Sequence, residues 1–112
     1  MGLREFQRLI ESIYYRKDKA RGLHGTYFWF AEEVGELTRA LRRGERGRQE
    51  EEFADVLAWL STLASIQGVD LERAARRKYG KGCPYCHATP CACPDPGAKP
   101  RQKKVLRRNK TG

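Results

Sequence analysis

The sequence predicts an all-α fold, a four-helix bundle expected to be dimeric, with a small zinc-knuckle-like extension at its C-terminal side. Three observations point there. The first 80 residues hold no proline and are rich in Leu, Ala, Glu and Arg. Their apolar residues recur at three- and four-residue spacing, with no sustained alternation and no hairpin signal. All five prolines and all four cysteines come after residue 80, so the composition changes sharply near Gly80–Gly82.

The expected first helix runs from about Leu3 to Lys19, with Leu3, Phe6, Leu9, Ile10, Ile13 and Tyr14 along one stripe. Gly22 and Gly25 are expected to break it. The second starts at Thr26, read as its N-cap, and ends near Arg43, with Phe30, Val34, Leu37 and Leu41 on one face. Gly44 and Gly47 punctuate the chain again. The third, about Arg48 to Gln67, turns Phe53, Val56, Leu57, Leu60, Leu63 and Ala64 inward, and Gly68 suits the position just past its end. Asp70 can cap a short fourth helix ending near Tyr79. Eighty residues in four short helices bury a modest core, and such domains often lean on a partner or a metal. Tyr15, Phe28 and Trp29 fall off the stripes, either as ordinary exposure or as a face for a second subunit.

Three segments follow: residues 1–80 as the helical domain, 81–93 as a cysteine segment, and 94–112 as a disordered basic tail. The net charge of +9 is mostly the tail's: residues 94–112 hold seven Lys and Arg against one Asp, leaving +3 for the rest. The charge therefore says little about the folded part. No apolar run approaches the 18 or so residues of a membrane span, which excludes a transmembrane protein. The charged N-terminus does not read as a signal peptide, and the expected location is the cytoplasm.

Two acidic clusters carry the chemistry. Glu33 and Glu36 are three residues apart, as are Glu52 and Asp55, so each pair projects from one side of its helix. Both border apolar stripes. If the helices pack antiparallel, four carboxylates face one another, and like charges 4 Å apart repel by roughly 4 kcal/mol at an effective dielectric near 20. A hard cation, Mg²⁺ or Mn²⁺, is the natural compensation for all-oxygen ligands, and Mg²⁺ combines such carboxylates with substrate phosphates. A solvated acidic face is the plainer alternative, weakened by the matched spacing.

The run Glu32-Glu33-Val34-Gly35-Glu36-Leu37, then 14 residues, then Glu52-Phe53-Ala54-Asp55-Val56-Leu57, resembles the MazG-type nucleoside triphosphate pyrophosphohydrolases of the all-α NTP pyrophosphatase superfamily. The resemblance covers about residues 3–80. It implies cleavage of a nucleoside triphosphate between the α and β phosphates, with Glu33, Glu36, Glu52 and Asp55 as Mg²⁺ ligands. Glu32 would lie behind the ligands or orient the attacking water. Trp59, one turn after Asp55, is placed either to stack on a base or in the core. His24, Tyr27 and Trp29 are further base-pocket candidates. Arg77, Lys78 and Lys81 could meet phosphates or simply complement a helix end. Gly80-Lys81-Gly82 stands where the family commonly has an Asn-containing segment. A homodimer or dimer of dimers is expected.

Cys83-Pro84-Tyr85-Cys86, four residues, then Cys91-Ala92-Cys93 suits a closed, tetrahedral structural Zn²⁺ site. Disulfides, a glutaredoxin-like redox pair and unliganded thiols are the alternatives, and His87 could replace one thiolate. A phosphoribosyl-ATP pyrophosphohydrolase shares the fold and cleavage expected here. The competing class is a nucleic-acid-binding module using the zinc segment and the basic tail, and the carboxylate quartet argues against it because it would repel a phosphate backbone.

Overall fold

A computed structural model describes residues 1–94, which contain three helices and no strand. α1 spans Leu3–Arg43, α2 Arg46–Ile66 and α3 Leu71–Tyr79. Residues 95–112, nearly all of the expected basic tail, lie outside the described part. The chain divides into two units, Met1–Ala74 and Ala75–Gly112. Among the described residues no helix is long and apolar enough to cross a membrane.

Within the first unit, the expected break between the first two helices falls at Gly22 alone. Gly22 sits at φ 79° and ψ 179°, a region essentially restricted to glycine, and α1 bends there into two arms, residues 3–21 and 23–43. Gly25 is helical, contrary to its reading as a breaker. Thr26 is no N-cap either: it lies inside the second arm with 0% exposure, its Oγ1 accepting a hydrogen bond from Arg21 Nη1 at 3.2 Å. Gly44, at φ 68°, ends α1, with Gly44 N–H donating to Leu41 O and Glu45 N–H to Ala40 O. That pairing satisfies the last carbonyls of the helix. Gly47 does not punctuate, because α2 already begins at Arg46.

The end of α2 follows the sequence reading. Gly68 N–H donates to Ser65 O and Val69 N–H to Ala64 O, with Gly68 at φ 73°. Asp70 caps α3 by accepting from Arg73 N–H at 3.0 Å. This corner is tied to the start of α1. Gln7 donates to Ser65 Oγ and Val69 O and accepts from Leu71 N–H. Arg4 pairs with Asp70 at 2.7 Å and with Glu72 at 3.5 Å.

The interior differs from the one the stripes predicted. Among the described residues the buried apolar side chains are Ile10, Ala40 and Ala64, outnumbered by buried Gln7, Thr26, Glu52, Ser61 and Thr62. Leu9, Ile13, Tyr14, Val34, Leu41, Phe53, Leu57 and Leu60, expected inside, are each more than a third exposed. Periodicity gave the apolar faces correctly, but the helices meet through small and hydroxyl-bearing residues, so the larger side chains flank the seam. Tyr15, Phe28 and Trp29 are exposed as well, Phe28 to 68%.

Candidate active site and metal centres

The antiparallel pairing of the second arm of α1 with α2 brings the two acidic clusters together. Carboxylate oxygens of Glu33, Glu52 and Asp55 all lie within 4.8 Å of one another. Glu52 is buried, and its Oε1 has no hydrogen-bond partner; the nearest compensating charge is Arg48, 3.8 Å from Oε2. Burial pushes the Glu33 carboxyl up to about 7, helped by a hydrogen bond with Glu52 and by the charges of Asp55, Glu52 and Glu36. Asp55 is raised by burial and by Glu52 and Glu51. Glu51 escaped the sequence reading, although it directly precedes the second motif.

Three of the four predicted ligands are therefore gathered. Glu36 instead accepts from Arg39 at 2.9 Å on the exposed side of α1, and Glu32 is exposed. An orphaned, buried carboxylate oxygen among three mutually repelling acids fits a divalent cation.

Glu33 and Asp55 line a cavity of about 380 Å³ together with Tyr14, Lys17, Asp18, Arg21, Trp29 and Trp59. The Trp29 and Trp59 rings are stacked, 6.0 Å between centroids and 11° apart. Both tryptophans singled out from sequence thus line the cavity with Glu33 and Asp55, whereas Tyr27 packs beside Phe28 and Phe30 and His24 is exposed. Sequence reasoning missed Lys17, Asp18, Arg21 and Thr62. Asp18 accepts from Arg21 Nη1 at 3.0 Å and from Thr62 Oγ1 at 3.2 Å, so one buried chain of polar groups joins both arms of α1 to α2. The Asp18–Arg21 spacing immediately before a glycine was the available signal.

In the second unit, the four cysteine Sγ atoms lie within 4.8 Å of one another. Cys83 is 3.8 Å from Cys93 and 3.6 Å from Cys91. Four sulfurs about 2.3 Å from a tetrahedral ion are about 3.8 Å apart, so this spacing is that of a ligand set. Backbone N–H groups aim at the first pair. Those of Cys86 and Tyr85 lower the Cys83 thiol to about 6, and those of Ala92 and Ala88 lower Cys86. Cys93 is pushed up to about 12, first by its hydrogen bond with Cys91. The turn needs His87 at φ 60°, its N–H donating to Cys83 O, and the sulfur cluster leaves its side chain out. Gly82 is required by close approach, since a Cβ there would stand 2.9 Å from Ala88 O. Arg77 and Lys78 also belong to this unit, on the last turn of α3.

A match to the MazG nucleotide pyrophosphohydrolase domain spans residues 22–87, more than half of the chain. The chain belongs to the MazG family. The MazG match starts at the Gly22 break, later than the expected residue 3, and runs to His87 beyond the expected residue 80. It takes in both acidic motifs, both tryptophans and the first two cysteines. MazG membership makes the chain a pyrophosphohydrolase of a typically divalent-metal-dependent, all-α family. No curated protein matches the chain.

Proposed function

We propose that this MazG protein hydrolyses nucleoside triphosphates between the α and β phosphates, releasing a monophosphate and pyrophosphate, in a role that cleanses the nucleotide pool. The observation that supports it most is the buried Glu52 oxygen left unpaired behind Glu33 and Asp55, the two acids of its cluster that line the aromatic cavity. Glu33, Glu52 and Asp55, with Glu36 after it leaves Arg39, would hold Mg²⁺ or Mn²⁺. Such an ion supplies neutralisation of the phosphate oxygens and a water of lowered pKa.

The chain's own groups do the rest. Trp59 and Trp29 bind the base by stacking, and Arg77 and Lys78 are the proposed phosphate contacts. Glu32 orients the attacking water and takes its proton. The water oxygen bonds to the α phosphorus, the bond from that phosphorus to the bridging oxygen breaks, and the electron pair leaves on pyrophosphate. Holding water and phosphate in line supplies much of the rate. A panel of nucleoside triphosphates, assayed for pyrophosphate with and without Mg²⁺, tests this. Diphosphate and orthophosphate as first products would refute it.

Two further parts complete the reading. The four cysteines hold a structural Zn²⁺, with no open position for chemistry. A second copy of the chain covers the exposed Leu9, Ile13, Phe28, Leu41, Phe53 and Leu57, because a domain with three buried apolar side chains needs more burial than it supplies alone. Light scattering should give a dimer or a dimer of dimers; a monodisperse monomer at micromolar concentration would rule the partner out.

A further inference from the structure

Arg21 is held as few surface arginines are. Both hydrogens of Nη1 are used, toward Asp18 Oδ1 at 3.0 Å and Thr26 Oγ1 at 3.2 Å. Its guanidinium carbon lies 4.8 Å from the Trp59 ring centroid, and the side chain is only 21% exposed. Gly25 makes room for it, since a Cβ there would stand 2.8 Å from Arg21 Cγ. The other edge of the guanidinium, Nε and Nη2, donates to no group among the described residues. That edge is a planar fork of two parallel donors, and Arg21 lines the cavity that Trp29, Trp59, Glu33 and Asp55 also line.

Two sets of residues lining the cavity suit different parts of a nucleotide. Acidic Glu33 and Asp55 suit a cation and phosphates; Trp29, Trp59 and Arg21, which pack on one another, suit a base. Because Asp18 already neutralises Arg21, its remaining capacity is directional hydrogen bonding more than charge. A fork of two donors needs two adjacent acceptors. Guanine offers O6 and N7, and cytosine offers N3 and O2, whereas adenine and uracil set a donor beside each acceptor. Facing a donor with a donor leaves both unpaired, and that rejection is stronger than a missing methyl group gives.

We propose that Arg21 reads the base edge, so that within each ring size the enzyme prefers GTP to ATP and CTP to UTP. This rests on the pyrophosphohydrolase reading of the same cavity. The test compares kcat/KM for the four nucleotides in wild type, Arg21→Lys and Gly25→Ala. Lysine keeps the pair with Asp18 and the fold but loses the planar fork, while the added methyl of Gly25→Ala displaces an otherwise intact Arg21. Both wild-type ratios should be about tenfold or more and fall toward one in both variants. The same ratios should appear without metal, in quenching of tryptophan fluorescence by GMP, AMP, CMP and UMP. Hydrolysis of all four at equal efficiency, or ratios that survive Arg21→Lys, would overturn the assignment. A wild-type protein that releases pyrophosphate from none of them would instead remove the reading on which it rests.

Discussion

The molecule gathers negative ligand groups twice, by opposite means. Glu33 and Glu52 are 19 residues apart and meet only because two helices pack. The four cysteines lie within eleven residues and meet because one turn, set by Gly82 and His87, folds back on itself. Glu33 and Asp55 are hard oxygen donors on the wall of a cavity open to solvent, which Asp18, Arg21 and Thr62 also line. The thiols are soft ligands in a closed set steered by backbone N–H groups. Long-range construction leaves two of the acids facing a cavity; local construction gathers four sulfurs at the spacing of a closed set.

The largest effect should come from breaking the acidic set. Asp55→Asn or Glu52→Gln should lower pyrophosphate release by roughly a hundredfold or more, since each removes stabilisation made at the reacting phosphate. The apo fold should be unchanged or slightly more stable, because one of three repelling charges is gone. Turnover near wild type at saturating Mg²⁺ would place the chemistry elsewhere. Glu36→Gln tests whether the Arg39 pair opens on binding: a comparable loss is expected, and full activity would confine the set to three acids.

Glu33 makes the acidic cluster sensitive to pH near neutrality. Its folded carboxyl titrates at about 7 through burial and its acidic neighbours, above the ordinary glutamate range, so the apo fold binds a proton that the unfolded chain releases. That contribution to stability is present at low pH and fades as pH rises through about 7. A divalent cation must displace the same proton. Its apparent affinity should rise about tenfold per pH unit below 7 and level off above it, as titration calorimetry at several pH values would show. In Glu33→Gln the pH dependence should flatten; an unchanged slope would move the proton to another group.

Much of this was legible in the residues. The i,i+3 spacing of acids beside apolar stripes picked out three carboxylates that the fold gathers, and glycine positions located the turns. The choice among glycines was not legible. Gly22 and Gly25 look alike in sequence, yet only Gly22 takes a positive φ, while Gly25 stays helical to leave room for Arg21. The same arginine captured Thr26, which propensity alone made a cap. The apolar stripes of Leu57 and Phe53 told which face is apolar but not that these side chains stay exposed in the single chain, because periodicity does not record which residues form the seam. Lys17 was passed over because a basic residue on a charged helix carries no distinctive spacing, whereas Arg21 had its signal in the Asp18 three residues before it and the glycine after it.

The cysteine segment should break more gently. Cys83→Ser should take bound zinc from about one per chain to near zero, since a structural tetrahedral site needs all four thiolates. Protein purified without added zinc and kept reduced gives the reference, and a wild-type content near zero would rule the clip out. Melting should fall by a few degrees, about what losing roughly 1 kcal/mol does to a domain of this size. Mg²⁺-dependent hydrolysis should persist in this variant and after truncation beyond Tyr79. Activity restored by zinc alone would reverse the roles of the two clusters.

The smallest expected effect on zinc content tests whether the two clusters are built independently. Gly22→Ala places a Cβ on a backbone at φ 79° and ψ 179° with nothing within 4 Å to clash, so its penalty is conformational strain alone, about 1–3 kcal/mol. The fold can relieve it only by turning one arm of α1 against the other. That motion would pull Asp18 and Arg21, on the first arm, away from Thr26 on the second and Thr62 on α2. Substrate affinity should therefore weaken several-fold together with the urea midpoint, while zinc content stays at the wild-type value because the turn at residues 82–87 sets it locally. Loss of zinc in Gly22→Ala would show that the cysteine turn depends on the packing of the helices, and the contrast between the two clusters would fail.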